Sequence, residues 1–133
     1  DISPESVVFA QKKNRKFLDK RCFIEQGSVE KLPYEDEKFD ITTAFETVYF
    51  WKNLPGTFSE VARVLKERGI FLICCEMSDP GNGKWSGRIN GMVVYSPEEL
   101  IALLSESGFE NIEVHRGKKE EICIIARKIV LKK

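Results

Sequence analysis

Cysteine and histidine are the residues in this 133-residue sequence whose chemistry would be easiest to recognise. The four cysteines are Cys22, Cys74, Cys75 and Cys123, and none belongs to a Cys-x-x-Cys pair. Neighbouring residues on a strand point to opposite faces, so Cys74 and Cys75 cannot both ligate one ion. We therefore predict buried, reduced thiols in a cytoplasmic protein and no metal site. His115, the single histidine, lies on a predicted strand, and a surface position is its default.

No hydrolase or nucleotide-binding motif is complete. The sequence lacks the Gly-x-Ser-x-Gly elbow of serine hydrolases. The glycines of "GNGKWSG" (81–87) follow a strand, but no helix opens directly after them, so we do not expect a phosphate-binding loop there. Twenty-one basic and twenty-one acidic residues cancel, which argues against a nucleic-acid or membrane partner. The basic segment "KKNRKFLDKR" (12–21) is expected to be a solvated helix end and loop.

The first half of the chain predicts alternating helices and strands. Ser3 suits a helix N-cap and Pro4 the first helical position, with the helix fading near Asn14. A short strand is expected at Cys22–Glu25 and a longer one at Phe39–Phe45. An apolar stripe at helical spacing predicts a second helix, with Gly69 as its C-cap; the stripe consists of Leu54, Phe58, Val61 and Leu65.

The second half begins with "IFLICCEM" (70–77), an apolar run typical of a parallel strand with helices on both faces. Strand, helix and strand therefore make a βαβ unit, and the fold class is α/β. The Gly-rich stretch 78–95 is expected to be a long loop or lid. Ser96 and Glu99 form a capping box for a helix that ends near Gly108, and two strands separated by "GKK" predict an antiparallel hairpin.

The order of these motifs resembles class I S-adenosylmethionine-dependent methyltransferases. The resemblance rests on "GSVEKLPYEDEKFDITTAFETVYFWKNLPGTFSEVARVLKERGIFLI", on "DIS" as a strand end and on "SGFENIEVHR" as closing strands. It implies a Rossmann-like, doubly wound, mostly parallel sheet with a C-terminal antiparallel hairpin. In the family, the first strand and its Gly-rich turn precede the residue that Asp1 matches. We therefore expect residues 1–133 to be a single, partial domain that lacks them.

The resemblance also implies an S-adenosylmethionine site. Asp1 matches the acidic residue that bonds the ribose hydroxyls, and Ser28 and Val29 stand where the family usually has the Asp-Ala pair that meets adenine. Ser28 can accept a hydrogen bond but carries no charge. The strand end that borders the cofactor is formed by Ala44, Phe45 and Glu46, since α/β sheets bind ligands at the carboxyl ends of their strands.

Methyl transfer needs alignment of donor and acceptor more than a dedicated catalytic residue, and we assign none. Tyr49 and Trp51 are expected to line an acceptor pocket, or alternatively to pack the start of the helix at Leu54. The loop residues Trp85, Arg88 and Tyr95 are the other candidates for binding a small-molecule acceptor. Arg88 suits a carboxylate or phosphate, although a solvated position is its common alternative.

Two functions remain open at this point. The first is methyl transfer to an unnamed small molecule. The second is a catalytically silent fragment that folds by pairing with another chain. Loss of the family's first strand would expose the edge of the strand Phe39–Phe45, and an open strand edge is a template for pairing. A homodimer through that edge is the form of association that we expect.

Overall fold

The computed structural model describes residues 1–131, which form three helices, four strands and a short 3₁₀ turn. In chain order the elements are α1 (Pro4–Lys13), β1 (Phe39–Phe45), the 3₁₀ turn (Val48–Phe50), α2 (Leu54–Val64), β2 (Leu65–Cys75), α3 (Pro97–Glu106), β3 (Phe109–Arg116) and β4 (Ile122–Lys128). Within this described range, no helix is both long and apolar enough to span a membrane.

The strands form one sheet in the order β1-β2-β4-β3. β1 runs parallel to β2, whereas β4 pairs antiparallel with both β2 and β3. The predicted α/β fold with a C-terminal antiparallel hairpin is confirmed. β1 is one edge of the sheet, and its side chains Ile41 and Phe45 are 58% and 59% exposed.

The core lies on one face of the sheet, where α2 and α3 pack. Phe58 of α2 meets Phe71 of β2 edge to face, with ring centroids 5.7 Å apart. From Gly69 to Cys75, buried residues of β2 alternate with half-buried ones. Ile70, Leu72 and Cys74 keep part of their surface open, so this face of β2 is less completely covered than the prediction of helices on both faces implies.

The two helices with clear start signals are confirmed. Ser3 caps α1 by accepting the Ser6 N–H. Ser96 and Glu99 form the predicted capping box of α3. Gly108 follows α3 with φ +97°, the left-handed conformation that a glycine adopts without strain.

Two local predictions are wrong. α2 ends at Val64, and Gly69 lies inside β2 rather than at a helix end. A Cβ at Gly69 would come within 2.7 Å of the Lys66 carbonyl oxygen, so close backbone approach explains the glycine. Residues Cys22–Glu25 are not a strand, because only an isolated bridge joins Leu18 to Cys22.

Candidate active site

A cavity of about 870 Å³ lies between the start of the chain and β1. Five of the residues proposed from the sequence line it: Asp1, Ser28, Val29, Glu46 and Trp51. They come from four separate segments, so the fold brings them together. Six other proposed residues are not part of its lining: Ala44, Phe45, Tyr49, Trp85, Arg88 and Tyr95.

Backbone hydrogen bonds hold the first residues beside the segment that precedes Ser28. The Gly27 N–H donates to the Asp1 carbonyl over 2.9 Å, and the Gln26 side chain donates to the Ile2 carbonyl. The Asp1 carboxylate accepts the Ser3 N–H through Oδ1 at 2.9 Å. A carboxylate offers about four acceptor positions, so this contact leaves acceptor capacity for hydroxyl donors.

Ser28 and Val29 lie in a tight turn. The Ser28 carbonyl accepts the Lys31 N–H, and its hydroxyl oxygen accepts the Glu30 N–H over 3.2 Å. Val29 is partly buried against the core. The turn therefore places Ser28 and Val29 in the lining of the cavity, with the Ser28 hydroxyl oxygen already accepting one hydrogen bond.

A salt-bridged pair on α2 fixes the chain after this turn. Arg63 donates to Glu60 through both Nε and Nη2, and it also donates to the carbonyls of Leu32 and Tyr34. Glu60 in turn accepts the Leu32 N–H at 2.8 Å. The bonds from Arg63 hold the pKa of Glu60 below its usual range. Neither residue is among those predicted from the sequence to shape the site, although the i, i+3 spacing of the pair on a helix is a signal for an ion pair.

Glu46 joins the carboxyl ends of β1 and β2. Its N–H donates to the Cys74 carbonyl, while its carboxylate accepts the Glu76 N–H at 2.6 Å and the Tyr49 hydroxyl at 3.0 Å. Its backbone has φ 55°, the left-handed region that costs energy for a non-glycine residue. These contacts keep Glu46 at the mouth of the cavity.

Tyr49 belongs to the same hydrogen-bond network as Glu46. Its side chain is 4% exposed, and its hydroxyl accepts the Met77 N–H at 3.0 Å while it donates to Glu46. Burial raises the pKa of Tyr49 far above its ordinary value, so the hydroxyl remains a donor. In this position the Tyr49 hydroxyl links the ends of β1 and β2, and Tyr49 does not line the cavity.

Trp51 both packs and lines the cavity. Its ring stacks on Phe71 with an interplanar angle of 7° and meets Phe58 edge to face. Because Phe71 also lines the cavity, these rings form a continuous apolar wall.

The remaining candidates lie on the loop between β2 and α3. Trp85 is 41% exposed, Arg88 is exposed and Tyr95 is half-buried. Glu120 anchors the start of the loop by accepting the Ser78 and Asp79 N–H groups and the Asn82 side-chain amide. Ala44 is buried beneath the sheet and Phe45 points to its open face.

Within residues 1–131, no group of three or more histidine, cysteine, aspartate or glutamate side chains could hold a metal ion. His115 is exposed on β3, with Nε2 3.3 Å from a Glu113 carboxylate oxygen. The cavity lining contains polar residues, among them Asp1 and Ser28, and apolar ones, among them Trp51 and Phe71.

Comparison of the sequence with known proteins identifies the family of this chain. The sequence pattern of the methyltransferase domain matches residues 1–73. A probable phthiotriol/phenolphthiotriol dimycocerosates methyltransferase of Mycobacterium ulcerans is 35% identical over 71 residues, which cover 53% of this chain and 26% of that protein. The erythromycin 3''-O-methyltransferase of Saccharopolyspora erythraea is 26% identical over 130 residues, covering 86% of this chain and 42% of that protein.

Solved structures show the same fold. A protein from Thermotoga maritima described as an SAM-dependent methyltransferase, possibly acting on histamine, superposes with a TM-score of 0.81 at 21% identity. The match covers 96% of this chain and 71% of that one. This chain spans less than half the length of the two curated relatives. On the match over more than half of its residues, it belongs to the class I S-adenosylmethionine-dependent methyltransferases.

Proposed function

We propose that this chain provides the adenosine-binding part of an S-adenosylmethionine site in an enzyme that methylates a small molecule. The observation that carries this proposal is the convergence of Asp1, Ser28, Val29 and Glu46 on one cavity. The donor set fits the adenosine group, because a carboxylate suits vicinal hydroxyls, a hydroxyl suits an amino group and apolar walls suit a purine.

In this proposal the chain contributes binding and alignment. When bound, the cofactor supplies an activated methyl group. Asp1 holds the ribose, the turn at Ser28 and Val29 holds the adenine, and Glu46 keeps the ends of β1 and β2 in place beside them. Orientation of this kind supplies roughly 7 to 11 kcal/mol in well-aligned reactions. No residue here is assigned to the methionine part of the cofactor or to proton transfer.

The acceptor is proposed to be a small molecule with both apolar and polar groups. Trp51 and Phe71 give the cavity an apolar wall, and the names of the Mycobacterium ulcerans and Saccharopolyspora erythraea relatives put phthiotriol-type compounds and erythromycin first in an acceptor screen. Trp85, Arg88 and Tyr95 remain our candidates for acceptor contacts from the loop. Arg88→Ala should then raise the KM for the acceptor without changing cofactor affinity.

Isothermal titration with S-adenosylhomocysteine tests the cofactor site. Asp1→Asn should weaken binding about tenfold, because a charged acceptor is lost. Asp19→Asn removes an exposed aspartate that does not line the cavity and should leave affinity unchanged. Equal affinities for the two variants, or no binding by the unchanged chain at millimolar ligand, would refute the proposal.

A variant that is expected to bind the ligand more tightly gives a second test, because a misfolded protein would not gain affinity. Ser28→Asp restores the carboxylate usual in the family, and charge-assisted hydrogen bonds are roughly twice as strong as neutral ones. The affinity for S-adenosylhomocysteine should rise several-fold. An unchanged or weaker affinity would show that Ser28 does not meet the adenine.

The open edge of β1 supports a second role, pairing with another copy of the chain. Ile41 and Phe45 are largely exposed there, and an unpaired edge offers free backbone groups. Ile41→Lys should dissociate the dimer in sedimentation experiments. Glu113→Lys, on the opposite edge strand β3, is the matched control. A wild-type monomer at high concentration, with slowly exchanging amides at 41–45, would exclude this role.

A further inference from the structure

Two cysteines face each other across β2 and β4. Cys74 and Cys123 are directly opposite in the antiparallel pair, and their Sγ atoms are 3.3 Å apart. Residues directly opposite in antiparallel strands have Cα atoms about 4.5–5.5 Å apart. That spacing lies within the roughly 4.4–6.8 Å that disulfides require. The two backbones are therefore already placed for a covalent bond.

The open face of the sheet gives small reagents access to these thiols. Cys74 and Cys123 are half-buried, whereas Cys75, on the other face of β2, is 5% exposed. The row that contains them continues to Phe45 on β1 and His115 on β3, both of which are exposed. This row is less buried than Phe71 and Ile73 on the opposite face, which are 1% and 0% exposed.

We propose that Cys74 and Cys123 form a redox-active dithiol, which hydrogen peroxide converts into an intramolecular disulfide. One thiolate attacks a peroxide oxygen, giving a sulfenic acid and one water once the departing hydroxide is protonated. The second thiolate then attacks the sulfenic sulfur and displaces hydroxide, which becomes a second water. Two sulfur electrons pass to the peroxide, and the two thiol protons end in the waters.

The proposal is independent of methyl transfer, although the pair lies close to the candidate site. The Cys74 carbonyl accepts the Glu46 N–H, and Glu46 lines the cavity. Burial, together with the contact to Cys123, raises the pKa of Cys74. The thiol form therefore predominates at pH 7, so oxidation is slow there. In the reducing cytoplasm that we propose for this protein, the pair stays reduced until peroxide rises.

Peptide mapping after peroxide treatment tests the proposal. Trypsin leaves Cys74 and Cys75 in one peptide, so the Cys75→Ser variant is mapped beside the unchanged chain. We expect both proteins to give a cross-linked peptide containing Cys74 and Cys123 that reduction separates. Cys22→Ser should behave identically, and Cys123→Ser should lose the cross-link. A cross-link to Cys22, a bond only between chains, or cysteines oxidised singly would overturn the proposal.

A second measurement does not depend on variants. Phenylarsine oxide bridges two thiols only when they are neighbours. One equivalent should bind the unchanged, reduced chain and protect Cys74 and Cys123 from iodoacetamide, while Cys22 stays reactive. Alkylation of Cys74 and Cys123 at the same rate with and without the arsenical would show that the two thiols do not act as a pair.

Discussion

Removing the Tyr49 hydroxyl perturbs the cluster that joins the ends of β1 and β2. Tyr49→Phe deletes two hydrogen bonds, one donated to Glu46 and one accepted from Met77, each 3.0 Å long. A neutral hydrogen bond contributes about 1 kcal/mol, and one to a charged group about 1.5–3 kcal/mol. Glu46 is itself exposed, so its bond belongs at the low end of that range. The free energy of unfolding should fall by about 2.5 kcal/mol.

Urea denaturation at pH 7 measures this loss, and the same chain provides a control. Tyr95 is a half-buried tyrosine, and the described part of the chain offers its hydroxyl no hydrogen-bond partner. Tyr95→Phe should therefore change the free energy of unfolding by less than about 0.5 kcal/mol. Similar losses for the two variants would show that the Tyr49 hydroxyl does not hold the strand ends together.

The pH dependence of the unfolding free energy in alkali tests the role of Tyr49 independently. Burial raises the pKa of Tyr49 in the folded chain, so above pH ~10 the unfolded chain releases this proton first. The stabilisation is complete below pH ~10 and is lost as pH rises. Unfolding free energy should fall by up to ~1.4 kcal/mol per pH unit through this group. The unfolding free energy of the Tyr49→Phe variant should fall less steeply with pH. The raised pKa values of Cys74 and Cys75 add to the slope in both proteins.

Three further changes test other parts of the structure. Arg63 holds the pKa of Glu60 low, so this stabilisation is present above pH ~4.3 and is lost as pH falls below it; Glu60→Gln should lower Tm at pH 7 and flatten its decline in acid. The buried Thr42 hydroxyl has no partner among residues 1–131, so Thr42→Val should raise the unfolding free energy by about 1 kcal/mol, whereas exposed Thr43→Val should not. Because Cys74 and Cys123 are 49 residues apart, their disulfide should add about 4 kcal/mol in urea denaturation, and a loss would reveal strain between the strands.

The elements whose sequence signals lie in neighbouring residues were predicted correctly. The Ser96 capping box and the β-branched run of β1 required only neighbouring residues to be recognised, and both elements begin where expected. The end of α2 depends on tertiary packing, because Leu65 is fully buried as the first residue of β2 rather than as the last turn of a helix. The stripe at helical spacing could not reveal that change of element.

The candidate site likewise contains some residues that the sequence indicated and some contacts that only the folded chain shows. Asp1 and Ser28 were proposed from the family resemblance, and both residues line one cavity. The bonds of Glu60 and Arg63 to residues 32–36 cross about thirty positions of sequence, so only the folded chain shows that they shape the loop after Ser28. The tie between Glu46 and Tyr49 likewise depends on a left-handed turn that the sequence "FETVYF" does not announce.

The two proposed roles involve different residues of one cavity. Phe39, Ile41 and Thr42 of β1 line it, and so do Asp1, Ser28 and Glu46, which lie outside that strand. We expect a strand paired along β1 to contact the first three residues and to leave the other three free for the adenosine group. Binding and pairing should then strengthen each other, and by the same factor, because linkage between equilibria is reciprocal. Sedimentation with and without S-adenosylhomocysteine measures this coupling, and weaker dimerisation in the presence of the ligand would show that strand and cofactor compete for the same space.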